Sequence, residues 1–184
     1  MQDDAWSAFS ERVSCENRWP AACVTIEWPL PSGEIQRLVE RNAHALATIA
    51  ALEDRRTEGV DEDNPLLQEM LRLDAKLTAL VDIVNRLLLP PEDLPPRQAV
   101  RFNTAGAVLP AVLLPIGDAV LLRLHPDVCP SLPLELPAKV VRRFDDGLAF
   151  VAFANLGDGT CDALERLVFR LHRRKVAETR HSLS

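Results

Sequence analysis

Two arginines and an asparagine give the sequence its clearest chemistry. Arg97 and Arg101 stand four residues apart in the segment RQAVRFNTAG, and Asn103 follows directly. Guanidinium groups bind phosphates and guanine edges through paired hydrogen bonds, and they stack on bases. These three residues are therefore candidates for binding a charged nucleotide. The alternative is that both arginines are solvated charges beside a strand and that Asn103 is a turn residue.

A second set of reactive side chains lies in the segment LHPDVC. His125, Asp127 and Cys129 could form a metal site or a nucleophile with its base, but Pro126 interrupts the local geometry and no matching ligand pair occurs elsewhere. The sequence also has no phosphate-binding glycine loop, no GxSxG motif and no paired-carboxylate signature. We expect no catalytic residues, no metal site and no cofactor, so the chain is predicted not to be an enzyme.

The composition is that of a globular protein with one main domain. The 184 residues are 47% hydrophobic and carry a net charge of -6. That charge opposes nonspecific binding to nucleic acid, so no nucleic-acid partner is expected. Four cysteines without CxxC spacing are typical of reduced thiols, and we find neither a secretory signal nor an apolar run of about 20 residues. We expect a cytoplasmic protein that does not insert into a membrane.

Two heptad patterns occupy residues 32–90, which we interpret as an inserted helical region. The first helix begins at Ser32, and the second runs from residue 66 to residue 88 and is stopped by Pro90 and Pro91. The first pattern comprises Ile35, Leu38, Asn42, Ala45, Ile49 and Leu52. The second comprises Leu66, Met70, Leu73, Leu77, Leu80, Val84 and Leu87, and it is flanked by Leu67, Val81, Ile83 and Leu88.

The residues on either side of this insertion have the pattern of short strands. Residues 1–31 are predicted to contain one strand, at 22–31, and residues 97–178 several strands separated by Gly, Pro and Asp. This spacing favours a small antiparallel barrel. A C-terminal helix, predicted to begin near Thr160, has Leu164, Leu167, Val168 and Leu171 on one face.

The order of these segments resembles a PilZ domain. The resemblance rests on WPLP, a GD turn followed by VLLRLH, LPAKVVRR, AFVAFANL and the helix DALERLVFRLHRR, and it covers residues 97–176 and 12–31. It implies an α+β fold in which a six-stranded antiparallel β-barrel is followed by a C-terminal helix. It also implies a bacterial receptor for cyclic di-GMP.

The family binds this ligand through an RxxxR motif ahead of the first strand and a [D/N]xSxxG motif at a later one. Here Asn103 occupies the second motif, but Ala105 replaces its serine and Gly106 comes too early. Arg97 and Arg101 spell RxxxR next to Asn103 instead of upstream, and Arg12 and Arg18 have the wrong spacing. The resemblance therefore implies a degenerate site with weak or absent cyclic di-GMP binding.

The apolar stripe of the second helix must be covered, because leaving each large side chain in water forfeits roughly 1.5–3 kcal/mol. One possibility is a monomeric hairpin in which residues 34–53 cover residues 66–88. The broad apolar face instead favours self-association, with a tetramer favoured over a dimer. Asn42 could fix the register of such a bundle or lie on the surface.

Our first hypothesis is a degenerate PilZ protein that self-assembles through both heptad helices. It would act by contacts with proteins of the motility or signalling machinery. The alternative is a true cyclic di-GMP receptor that uses Arg97, Arg101 and Asn103 in a rearranged site. An enzyme subunit is the third possibility, for which the sequence offers no catalytic set.

Overall fold

A computed structural model describes residues 2–54 and 65–181. The helices are α1 (Gln2–Ser10), α2 (Ser32–Asp54), α3 (Pro65–Leu88) and α4 (Asp158–His181). The strands are β1 (Cys15–Thr25), β2 (Arg97–Phe102), β3 (Gly106–Pro110), β4 (Ala119–Leu124), β5 (Leu134–Arg143) and β6 (Leu148–Phe153). Among the described residues, none of the helices has the length and apolar character needed to cross a membrane.

The six strands form a closed antiparallel barrel in the order β1-β2-β3-β6-β5-β4. This confirms the predicted α+β fold with a six-stranded antiparallel barrel. The barrel closes through β1, whose first half pairs with β2 and whose second half pairs with β4. The interior is filled by apolar side chains that are almost fully buried, among them Val100, Phe102, Leu109, Leu122, Leu124 and Leu136.

Strand β1 is longer than predicted, because it begins at Cys15 instead of Ala22. Cys15 and Trp19 are buried while Glu16 and Arg18 are exposed, so this half alternates as a strand should. This half of the strand was not predicted, because the prediction relied on β-branched residues and the residues that face solvent here are polar.

Helix α4 packs against β1 of the barrel. Its predicted apolar face is buried in the main core through Leu164, Leu167, Val168 and Leu171. The helix begins at Asp158, slightly ahead of the predicted start near Thr160. Helix α2 packs against both α4 and β5.

Helix α2 uses its heptad face to pack against the barrel, which differs from both predictions made for it. Leu38, Asn42, Ala45 and Ile49 are 1–5% exposed in the single chain. These side chains therefore neither cover α3 in a hairpin nor remain free to line a seam between chains. Spacing by three and four residues serves packing on a sheet as well as packing on another helix, so the sequence did not distinguish these partners.

The other two α2 residues assigned to that seam also lie within the single chain. Ile35 packs against a small cluster formed by Leu30, Leu38 and Leu121. Leu52 is half-buried near the end of the helix. The packing of α2 therefore does not support the oligomerisation role predicted for it.

Candidate functional site

Arg97 and Arg101 lie on the outer face of β2 and contact different partners. Strand geometry separates residues four apart by about 13 Å. Arg97 forms two parallel contacts with the carboxylate of Asp127, at 2.8 and 2.9 Å, and this hydrogen bond raises the pKa of Arg97. The guanidinium of Arg101 lies 5.3 Å from the centroid of the Phe9 ring, in a cation–π contact. The two arginines therefore do not form one clamp.

Asn103 is a buried turn residue that uses both ends of its side-chain amide within the chain. Its Nδ2 donates to the carbonyl of Phe9 at 2.9 Å, and its Oδ1 accepts from the amide of Ala105 at 2.8 Å. It is only 1% exposed. These bonds support the alternative that Asn103 is a turn residue, and they leave its side-chain amide already hydrogen-bonded within the chain.

Arg12 folds back onto the same turn from the N-terminal side. Its Nη1 donates to Thr104 Oγ1 at 2.8 Å. The space between these residues, Glu165 and Phe169 is about 20 Å³, which is too small for a dinucleotide. Arg18 lies elsewhere, on β1 opposite Ala99 of β2. The two N-terminal arginines therefore do not rebuild the arginine motif that the family has ahead of its first strand.

A groove of about 370 Å³ lies between β1, α4 and the loop that follows β4. Its cations are Arg18, Arg174 and Lys175. Its carboxylates outnumber these three cations by one: Glu16, Glu53, Asp127 and Glu178. The carboxylates offset the cations, so the groove lacks the one-sided positive charge that a ligand with two phosphate groups would need.

The reactive side chains of LHPDVC are also held separately. His125 Nδ1 lies 2.8 Å from the carbonyl of Pro130, Asp127 is paired with Arg97, and Cys129 is buried. Within residues 2–54 and 65–181, no three His, Cys, Asp or Glu side chains cluster in a way that could hold a metal ion. The segment therefore serves as a structured loop in this chain.

Burial disfavours the thiolate form of Cys15 and Cys23. It raises the pKa of Cys15 to about 12 and that of Cys23 to about 11. All four cysteines are free in the structure. None of these features supports thiolate chemistry.

Two buried glutamates fix α2 to its surroundings, and the sequence reading did not single them out. The carboxylate of Glu135 on β5 is met by Arg41 at 2.8 Å and by Arg123 at 3.0 Å. Glu53, near the end of α2, is 3.4 Å from Arg174 of α4. The sequence could have indicated Glu135, because it is an acidic residue inside the apolar run LELPA. A charge in such a run is buried only when it is paired.

Helix α3 presents a continuous apolar surface to solvent. We call this surface the α3 stripe: Met70, Leu73, Leu77, Leu80, Val84 and Leu87, which are 47–76% exposed. The side chain of Leu66, the first predicted member, lies outside the described residues. Ile83 and Leu88 widen the stripe and are 54% and 70% exposed. A surface of this kind marks an interaction site.

The C-terminal part of α3 is fixed to the barrel through Asn85, a residue that sequence analysis missed. Its Oδ1 accepts hydrogen bonds from Cys129 Sγ at 3.5 Å, from the Ser131 amide at 3.4 Å and from Ser131 Oγ. Asn85 is 6% exposed, whereas the adjacent Val84 is 50% exposed. In the sequence, Asn85 stands out only as a polar residue in a long apolar helix. That position does not indicate which residues it binds.

Comparisons with known proteins agree with this architecture. The family model described as "Atypical PilZ domain, cyclic di-GMP receptor" matches residues 46–181, so that β1 lies outside the match. A similar crystal structure is that of a pathogenic protein from Xanthomonas campestris, described as a new tetrameric PilZ domain self-assembled via an unusual helical bundle. The similarity has a TM-score of 0.70 with 30% sequence identity, and it covers 95% of this chain and 97% of that one. A search of curated proteins finds no match.

Proposed function

Because the chain belongs to the atypical PilZ domain family, we propose that it is a non-enzymatic signalling protein of the cytoplasm that self-assembles through α3. In this proposal the barrel is the surface that contacts protein partners of the motility or signalling machinery. The observation that carries the proposal is the exposed α3 stripe. The family relationship gives the stripe its context, since the similar Xanthomonas protein is described as assembling through a helical bundle.

The energetics of the α3 stripe favour a partner with a matching apolar surface. Covering each of its large side chains is worth roughly 1.5–3 kcal/mol at full burial. The six residues repeat by three and four along α3, as the a and d positions of a heptad do. A second copy of α3 offers the same repeat, so a bundle of identical helices buries each stripe against another.

The width of the apolar surface supports a tetramer. Ile83 and Leu88 occupy g and e positions beside the a and d seam, and both are more than half exposed. A two-stranded coiled coil leaves such flanking positions largely in water, whereas larger bundles cover them. The predicted contribution of α2 is not part of this proposal, because its heptad face is occupied by the barrel.

The assembly is tested by the mass of the purified protein in solution. We expect wild-type protein near four times the chain mass of 20.4 kDa. Replacing Leu73, Leu77 and Leu80 together by glutamine should reduce the mass to that of one chain, because polar groups on the stripe remove its burial while preserving helix propensity. The measurement is multi-angle light scattering coupled to size exclusion.

A matched control places the same number of glutamines on the opposite face of α3. Arg72, Ala75 and Ala79 are exposed there, and their replacement by glutamine should leave the mass unchanged. A wild-type mass of one chain would disprove self-assembly. So would an unchanged mass in the stripe variant.

The second part of the proposal is that cyclic di-GMP binding is weak or absent. Arg97 is paired with Asp127, Arg101 lies over Phe9, and Asn103 is buried in a turn. The alternative is a true receptor with a rearranged site, and the description of the family model as a cyclic di-GMP receptor favours testing it. In that case Arg97 and Arg101 must leave their present partners to reach the ligand.

Titration calorimetry with cyclic di-GMP separates these alternatives. We expect no saturable heat with the wild-type protein. Saturation at micromolar ligand that disappears in the Arg97→Ala, Arg101→Ala double variant would establish the receptor. The mass of that double variant, measured in parallel, shows whether any loss of heat reflects altered assembly.

A further inference from the structure

The loop between β4 and β5 contacts both ends of the connection that joins α3 to the barrel. This connection, residues 89–96, follows the last turn of α3, which contains Asn85, and ends just before Arg97. Asn85 is bound by Cys129 and Ser131, and Arg97 is bound by Asp127. One short loop thus holds the connection at its two ends.

The loop itself is built as a compact unit. The His125 ring is 2.8 Å from the carbonyl of Pro130, and the amide of Cys129 donates to the carbonyl of Pro126 at 3.1 Å. The amide of His125 donates to the carbonyl of Pro20 on β1 at 3.0 Å. These bonds fix the loop to the barrel wall, so a group bound to the loop is also fixed to the barrel.

The connection has few ways to bend between its two held ends. It contains Pro90, Pro91, Pro95 and Pro96, and each proline ring restricts its own φ and the conformation of the residue before it. The carbonyl of Pro96 also accepts a hydrogen bond from the amide of Ala21 at 3.3 Å. The direction in which α3 leaves the barrel is consequently restricted at several points.

We propose that the loop 125–131 clamps α3 at a fixed angle to the barrel and that Asn85 is the positioning residue of this clamp. Asn85 lies about 120° from Leu73 around the helix axis, so binding Asn85 to the barrel turns the α3 stripe away from it. The clamp is a property of the single chain. Its consequence, that the barrels of an assembly hold fixed positions around the bundle, rests on the self-assembly proposed above.

The clamp also assigns a structural role to Arg97. Its bidentate pair with Asp127 holds the start of β2 to the loop, and such planar pairing is more specific than a single contact. Both side chains are about half exposed, so this arm is the weaker of the two. Asn85, which is buried and accepts three hydrogen bonds, is the stronger arm.

Hydrogen exchange of the full-length protein, read by mass spectrometry, tests the clamp directly. In Asn85→Ala the amide of Ser131 loses its acceptor, and we expect peptides spanning residues 126–132 to exchange roughly tenfold faster. In Asn85→Asp exchange should fall between wild type and Asn85→Ala, because a carboxylate oxygen still accepts all three contacts but brings an unpaired charge to a buried position. Arg86→Ala, an exposed neighbour on the same helix, is the matched control.

Small-angle scattering of the same variants tests the consequence for the assembly. We expect Asn85→Ala to keep the wild-type mass and to show a larger radius of gyration, because the barrels vary in position around an intact bundle. If Asn85→Ala fails to fold, Ser131→Ala removes one of the three donors from the loop and should produce the same change to a smaller extent.

The outcomes separate the clamp from the proposed assembly. Exchange in Asn85→Ala no faster than in Arg86→Ala would overturn the clamp, whatever the mass of the protein. Unchanged scattering in a variant with faster exchange would overturn its role in positioning the barrels. A wild-type mass of one chain would refute the assembly alone, since the exchange result still decides whether the loop holds α3.

Discussion

Gly106 shows how a single residue in the predicted nucleotide motif is fixed by packing. It begins β3 where β6 runs alongside, and a methyl group in its place would collide with the carbonyl oxygen of Val151 and lie 2.7 Å from Phe150 Cε2. Both neighbours are fully buried in the barrel wall and cannot move away cheaply. The glycine is therefore required by the close approach of two strands, with or without a ligand.

We predict that Gly106→Ala destabilises the protein by about 3 kcal/mol, the upper range for overpacking a well-ordered core. Urea denaturation followed by circular dichroism measures the change in the free energy of unfolding. Gly33→Ala is the control, since a methyl group at Gly33 in α2 meets no atom within 4 Å. It should leave stability unchanged or raise it slightly. Equal effects of the two variants would contradict the packing argument.

The candidate nucleotide residues show what the spacing of single residues can and cannot indicate. The sequence places Arg97 and Arg101 four apart, but their partners come from distant segments: Asp127 from the loop after β4 and Phe9 from α1. A pattern of spacing carries no information about such contacts. The turn role of Asn103 was an open alternative in the sequence, and its hydrogen bonds support it.

At the scale of elements, α2 and α3 have similar heptad patterns and opposite environments. Residues of α2 such as Leu38 and Ile49 are buried on the barrel, while Leu73 and Leu80 of α3 are more than half exposed. The strands and helices of the barrel were predictable because their periodicities differ. The partner of an apolar helix face was not, because the same period serves a barrel, a hairpin or a second chain.

Replacing Asn42 tests whether α2 packs on the barrel or on a second chain. It is buried, its Nδ2 donates to the carbonyl of Glu135 at 2.7 Å, and its Oδ1 accepts from the amide of Glu135 at 2.8 Å. These two bonds imitate the pairing of a neighbouring strand and fix α2 to β5. Asn42→Ala leaves both buried backbone groups without these bonds, and we expect a loss of about 3 kcal/mol in the free energy of unfolding.

The mass of the Asn42→Ala protein in solution is a second, independent measurement. We expect it to match the wild type, because the contacts of Asn42 lie within one chain. His44→Ala, at an exposed position of the same helix, should change neither stability nor mass. A changed mass with intact stability would instead support the role in bundle register considered for Asn42 from the sequence.

At the scale of the whole molecule, the chain combines a well-packed barrel with a helix that has little support of its own. The barrel core is continuous from the strands through α2 and α4. Helix α3 is held near its C-terminal end by Asn85, while its apolar residues remain in water. Isolated helices are marginal in water and most helical stability comes from packing, so α3 depends on what covers its stripe.

The stability of α3 should therefore depend on protein concentration, whereas that of the barrel should not. If copies of α3 cover one another, dilution shifts the equilibrium toward single chains by mass action. We predict that the far-ultraviolet helix signal per residue falls over about a thousandfold dilution. The tryptophan fluorescence, which comes from Trp6, Trp19 and Trp28 and from no residue of α3, should stay constant. The variant with glutamine at Leu73, Leu77 and Leu80 should show the low helix signal at every concentration. A helix signal that is independent of concentration in the wild type, and equally high in the variant, would mean that α3 is stable as a single helix and needs no second chain.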